Sequence, residues 1–150
     1  MIYFDACALL KFIKQERETA ALRTWRGLLA EGTELVTSGL TQLEITRTLL
    51  RAGADHQRVP YFLGQALRGV YLVDVTSTVL ARAIAYRVAR LGSLDAIHLA
   101  SADPFRSELT DFVTYDRELA AAATDLGFPV SAPSWPEASV ESAVMVTKTT

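Results

Sequence analysis

Five short strand-like runs, at residues 1–4, 34–37, 70–73, 112–115 and 130–132, are separated by longer stretches of helical periodicity, and this alternation constrains the fold more than any other feature of the chain. Short runs buried on both sides and joined by helices belong in a sheet covered on both faces. The expected class is therefore α/β, with a central, mainly parallel sheet between helical layers. Residues 8–14, 19–29, 41–50, 59–67, 79–91 and 120–126 carry the helical pattern, with Gly32, Gly53 and Gly127 as stops and Pro60 in a first turn. Thr76, Ser77 and Thr78 are cap candidates for the helix at 79–91. Ser93 is read as the N-cap of a further helix that carries Asp95 in its first turn.

The chain of 150 residues is long enough for one core, and it shows no internal repeat or linker. Its pattern weakens from Pro133, so residues 1–132 are read as a single domain. Residues 133–150 are then a C-terminal extension, extended or mobile, in which Val144, Met145 and Val146 form a run able to pair with another segment. Half of the residues are hydrophobic and 21% are charged, which excludes a disordered chain. A net charge of −2 gives no generic nucleic-acid footprint, although arginine supplies 12 of the 15 cations and suits bidentate phosphate contact. Cys7 is the single cysteine, so no internal disulfide forms. A reducing cytoplasm is expected, with no secretory leader and no apolar run long enough for a bilayer.

In an open parallel sheet, ligands bind beyond the C-terminal ends of the strands, and helix starts face the same edge. Asp5 and Asp116 end their strands there. Asp95, at a helix start, and Glu44, on the helix after the second strand, are placed to join them. Each acid alone has an ordinary reading as a turn residue, a helix cap or an exposed helix carboxylate. Together they repel, by roughly 4 kcal/mol for a pair about 4 Å apart at an effective dielectric of about 20. Such a cluster calls for protonation or a cation, and hard oxygen donors select Mg²⁺ or Mn²⁺. One or two such ions suit phosphoryl chemistry with water as the nucleophile.

These residues also carry a resemblance. Ile2-Tyr3-Phe4-Asp5, Glu44 with Arg47 beyond it, Leu94 to Ala100 around Asp95, and Thr114-Tyr115-Asp116 resemble the PIN-domain ribonucleases, specifically the VapC toxins. The resemblance spans most of residues 1–132 in order, and its most specific part is the Asp95 segment. It implies a three-layer α/β/α sandwich and an Mg²⁺- or Mn²⁺-dependent endoribonuclease. Asp5, Glu44, Asp95 and Asp116 would be the catalytic metal-binding acids, and Thr114 would orient Asp116. It also implies a homodimer, a VapB-type antitoxin as inhibitor, and a transfer or ribosomal RNA as substrate. Ala6-Cys7 departs from the family's hydroxyl or amide side chain after the first aspartate.

Arg47, Arg51, Arg87 and Arg90 are candidates for contact with RNA phosphate or with an antitoxin's acidic groups, or are simply solvated helix charges. His98 is read as a structural histidine, and Cys7 as a packing residue. A non-catalytic PIN-like module that binds RNA or protein is the alternative function. Dinucleotide and P-loop readings lack their glycine cradles, and Asp5-Ala6-Cys7 lacks the second aspartate of a haloacid-dehalogenase-like phosphatase.

Overall fold

The computed structural model describes residues 1–135. Strands β1 (Ile2–Phe4), β2 (Leu35–Ser38), β3 (Val70–Val73), β4 (Asp111–Val113) and β5 (Val130–Ser131) form one sheet in the order β3-β2-β1-β4-β5. Every pairing is parallel, with Tyr3 opposite both Val36 and Phe112. The helices are α1 (Ala6–Leu10), α2 (Thr19–Gly27), α3 (Leu40–Arg51), α4 (Val59–Ala66), α5 (Ser77–Ala85), α6 (Ser93–Ala102) and α7 (Arg117–Asp125). The run at 144–146 and most of the C-terminal extension lie outside the described residues.

Side chains of β1 alternate between two cores, as the period of a strand demands. Ile2 and Phe4 pack with Leu9, Leu22, Ile45 and Ala66 from α1 to α4. Tyr3 faces the other way, among Leu99 of α6, Leu119 and Ala122 of α7, and Phe112, on which its ring stacks with centroids 5.0 Å apart. The result is the three-layer α/β/α arrangement. Each of these fully buried large side chains contributes about 1.5–3 kcal/mol. The central strand β1 is thus anchored on both faces, and its C-terminal end is a rigid place to hold a side chain.

Three local expectations are corrected. The helix expected at 79–91 stops at Ala85, because Tyr86 turns extended (φ −62°, ψ 138°) and its hydroxyl donates to Asp103 at 2.7 Å. Val88 and Leu91 then pack on the α6 core from a loop. Arg87 and Arg90 therefore lie beyond the helix, and Arg87 donates to the Ile84 carbonyl at its end. At α6, Gly92 is the N-cap and Ser93 the first helical residue, with no side-chain cap bond. Strand β4 begins at Asp111 and ends at Val113, before Thr114 and Tyr115. Elsewhere Thr76 is the cap of α5, accepting from the Val79 N–H, and Gly53 (φ +83°) closes the turn after α3 in a conformation that favours glycine.

Candidate active site

Asp5 follows β1 and caps α1. Its Oδ1 accepts the Ala8 N–H at 2.8 Å, and its Oδ2 accepts the Thr114 hydroxyl at 2.5 Å. The residue is buried, and burial raises its carboxyl above the usual range against the opposing Thr114 bond. Thr114, itself fully buried, also accepts the Asp116 backbone N–H at 3.1 Å. One hydroxyl therefore ties the ends of two neighbouring strands, joining Asp5 by its side chain to Asp116 by its main chain. Asp116 caps α7 through Oδ1, which accepts from the N–H groups of Glu118 and Leu119.

Asp95 lies in the first turn of α6, where the helix dipole favours its charge. Its surroundings oppose that charge more strongly. Burial, then Asp116, and also Asp5 and Glu44, push its carboxyl from 3.8 up to about 6, against a smaller contribution from His98. Asp116, Asp5 and Glu44 thus all act on Asp95 at one edge of the sheet, and Glu44 also acts on Asp5. Among the described residues, no side-chain or backbone group hydrogen-bonds to the Asp95 carboxylate.

Glu44, in α3, is half-buried and its Oε1 lies 2.6 Å from Nε2 of His98. This contact was not anticipated from the sequence, which placed His98 in the packing alone. Its Nδ1 meets the Tyr3 hydroxyl at 2.7 Å. The only local signal was a polar ring one turn after Asp95 in an otherwise apolar helix. Cys7 also belongs to this edge, and it is exposed there rather than packed in the core as the sequence suggested. Partial desolvation first, then Asp5, Asp116, Glu44 and Asp95, push its thiol up to about 12. Arg47 and Arg51 are exposed on α3, and Arg87 and Arg90 are exposed in the loop after α5. Asp103 is occupied by Tyr86 and Arg106, away from the four acids.

The donor set suits a hard divalent cation, since every acid offers carboxylate oxygen and the strain on Asp95 is relieved by positive charge. As the side chains stand, no group of three or more His, Cys, Asp and Glu among the described residues forms a ready-made metal cage. Asp5 directs its oxygens to Ala8 and Thr114, and Glu44 directs one to His98.

Comparison with known proteins places this edge in context. Residues 2–125 match the model of the PIN domain. Ribonuclease VapC47 of Mycobacterium tuberculosis (strain CDC 1551 / Oshkosh) is 39% identical over 136 residues, covering 89% of this chain and 97% of the relative. The chain belongs to the VapC family of PIN-domain proteins. Ribonuclease VapC46 of M. tuberculosis (strain ATCC 25618 / H37Rv) is 35% identical over 133 residues, covering 89% of this PIN domain's chain and 98% of the relative. Among solved structures, the fold is similar to M. tuberculosis VapC20, described as a Sarcin-Ricin loop cleaving toxin. That match has a TM-score of 0.68 at 16% identity and covers 89% of this chain and all of that one. It is also similar to VapBC2 from Rickettsia felis bound to a promoter DNA fragment, with a TM-score of 0.67 at 13% identity, covering 89% and 99%.

Proposed function

We propose that this PIN domain is a divalent-metal-dependent endoribonuclease, the toxin of a toxin–antitoxin pair. The observation that carries the proposal is the Asp95 carboxyl, pushed up to about 6 first by burial and then by the charges of Asp116, Asp5 and Glu44 beside it. Asp5, Asp95 and Asp116, with Glu44, would hold one or two Mg²⁺ or Mn²⁺ ions. Such an ion, when bound, activates water and neutralises the charge that grows on a phosphodiester in the transition state. The chain's own part is positioning. Thr114 holds Asp5 and, through the main chain, the start of α7, while the buried α6 carries Asp95 at the same edge.

Residues 1–132 are proposed as the catalytic unit, acting in the cytoplasm. Among the described residues no helix is long and apolar enough to cross a membrane. Ribonuclease relatives and the VapBC assembly among the structural neighbours favour an RNA substrate, transfer or ribosomal, and a VapB-type antitoxin as partner. A homodimer follows from the family resemblance. Arg47, Arg51, Arg87 and Arg90 supply exposed guanidinium groups for RNA phosphate or for the antitoxin's acidic groups.

The second reading, a non-catalytic module that binds RNA or protein, draws on the lack of a ready-made metal cage among the described residues. One experiment separates the two. Antitoxin-free protein, incubated with structured RNA and Mg²⁺ or Mn²⁺, is expected to cut it, with loss of cutting in EDTA and in Asp5→Asn and Asp95→Asn. Equal cutting by wild type and both variants would assign the activity to a contaminant, and tight RNA binding without cutting would favour the binding module.

A further inference from the structure

The four acids are not held alike. Asp5 and Asp116 are short side chains pinned by backbone N–H groups at helix starts. Glu44 is longer, sits in the body of α3 and has no such support. Its Oε1 is instead held by Nε2 of His98, a residue 1% exposed on the opposite helix.

The bonds behind His98 fix which way it points. The Ser38 N–H donates to the Tyr3 oxygen at 3.1 Å, which leaves the phenol's own proton free to be donated to Nδ1 at 2.7 Å. The ring hydrogen then sits on Nε2 and is donated to Glu44, an assignment made from the bonding network. Tyr3 is itself fully buried in β1 and stacked on Phe112. The helix at the other end is tied down as well. Thr41, in the first turn of α3, shares a 2.7 Å hydrogen bond with Thr37, whose hydroxyl donates to the Phe4 carbonyl. A histidine serving only the core would be satisfied inside it. Here the bonded row leaves the central strand and ends on a carboxylate that is 23% exposed.

We propose that His98 is a positioning residue, backed by Tyr3, that aims the Glu44 carboxylate at the metal-binding edge. The proposal rests on the metal-dependent reading above. Its test is the Mn²⁺ dissociation constant of the full chain, read by electron paramagnetic resonance titration, with circular dichroism melting to verify folding. His98→Asn retains a partner for Tyr3 but does not reach Glu44, and it should weaken Mn²⁺ binding roughly ten- to a hundredfold, as loss of a bond supporting a metal ligand does. His98→Gln places an amide N–H near the position of Nε2 and should restore affinity to within about threefold. Tyr3→Phe removes one oxygen from an intact core and should weaken binding several-fold. In an Glu44→Gln background, His98→Asn should add less than about a twofold effect, because the two act as one unit.

Wild-type affinity in both His98→Asn and Tyr3→Phe would overturn the proposal. So would an equal His98→Asn penalty with and without Glu44. A wild-type chain that binds no Mn²⁺ at millimolar concentration would overturn the metal reading itself, and this proposal with it.

Discussion

Asp95→Asn should stabilise the metal-free protein at pH 8 while removing a proposed metal ligand. The Asp95 carboxyl is pushed from 3.8 up to about 6, first by burial and then by Asp116. At 1.36 kcal/mol per pH unit, a rise of that size corresponds to about 3 kcal/mol of disfavoured charge. Asp95 is half-exposed, so solvent screening removes about half of that. Asparagine also forfeits about 0.5 kcal/mol of favourable interaction with the α6 N-terminus. The net gain is about 1 kcal/mol, or roughly 3 °C in Tm for a domain of this size.

Its pH dependence gives the sign. A folded-state value above the unfolded one leaves stability whole while the acid is protonated in both states, below about pH 4, and erodes it as pH rises toward and through about 6. The advantage of asparagine is therefore absent at pH 4, grows between pH 4 and 7 and is constant above. Urea and thermal unfolding in EDTA, at equal protein concentration and at several pH values, measure it. With Mg²⁺ at ten times its Kd, the wild type should recover about 1.4 kcal/mol and the order should reverse. An Asp95→Asn variant no more stable than wild type at pH 8 in EDTA, or an advantage that does not vary with pH, would refute the reasoning.

Thr114→Val should cost about 1–3 kcal/mol, because it leaves the buried Asp5 oxygen and the Asp116 N–H without their shared partner; urea unfolding should show that Thr114→Ser recovers most of the loss. Cys7, with its thiol pushed up to about 12, should react with DTNB at pH 8 about fiftyfold more slowly than an ordinary cysteine, after allowing for the greater nucleophilicity of its thiolate. Mg²⁺ should accelerate that reaction by neutralising the four acids, and a rate typical of a free thiol, unmoved by Mg²⁺, would contradict the placement of Cys7 beside them.

Much of this architecture is legible locally. Ile2–Phe4 and Val70–Val73 are short apolar runs and are strands, while α3 follows its apolar period up to the turn at Gly53. The meeting of Asp5, Asp95, Asp116 and Glu44 follows from one rule of parallel sheets, that strand ends and helix starts share an edge. What escaped depends on partners distant in the chain. Helix α5 ends early because Tyr86 bonds Asp103, and no periodicity within 79–91 records that attraction. The link from His98 to Glu44 spans 54 residues and that to Tyr3 spans 95, so each looked like an ordinary helix or strand residue alone. Ser93 carries the residue type of a cap, yet the cap lies one residue earlier, at Gly92, and Ser93 is the first helical residue.

The divalent-cation site proposed at the four acids is tested most directly by an anomalous difference map from crystals of the full chain grown with Mn²⁺. A peak is expected within coordination distance, about 2.0–2.3 Å, of carboxylate oxygens from Asp5, Asp95 and Asp116, with Glu44 ligating it directly or through water. No peak at this edge, at a Mn²⁺ concentration that supports RNA cleavage in solution, would contradict it.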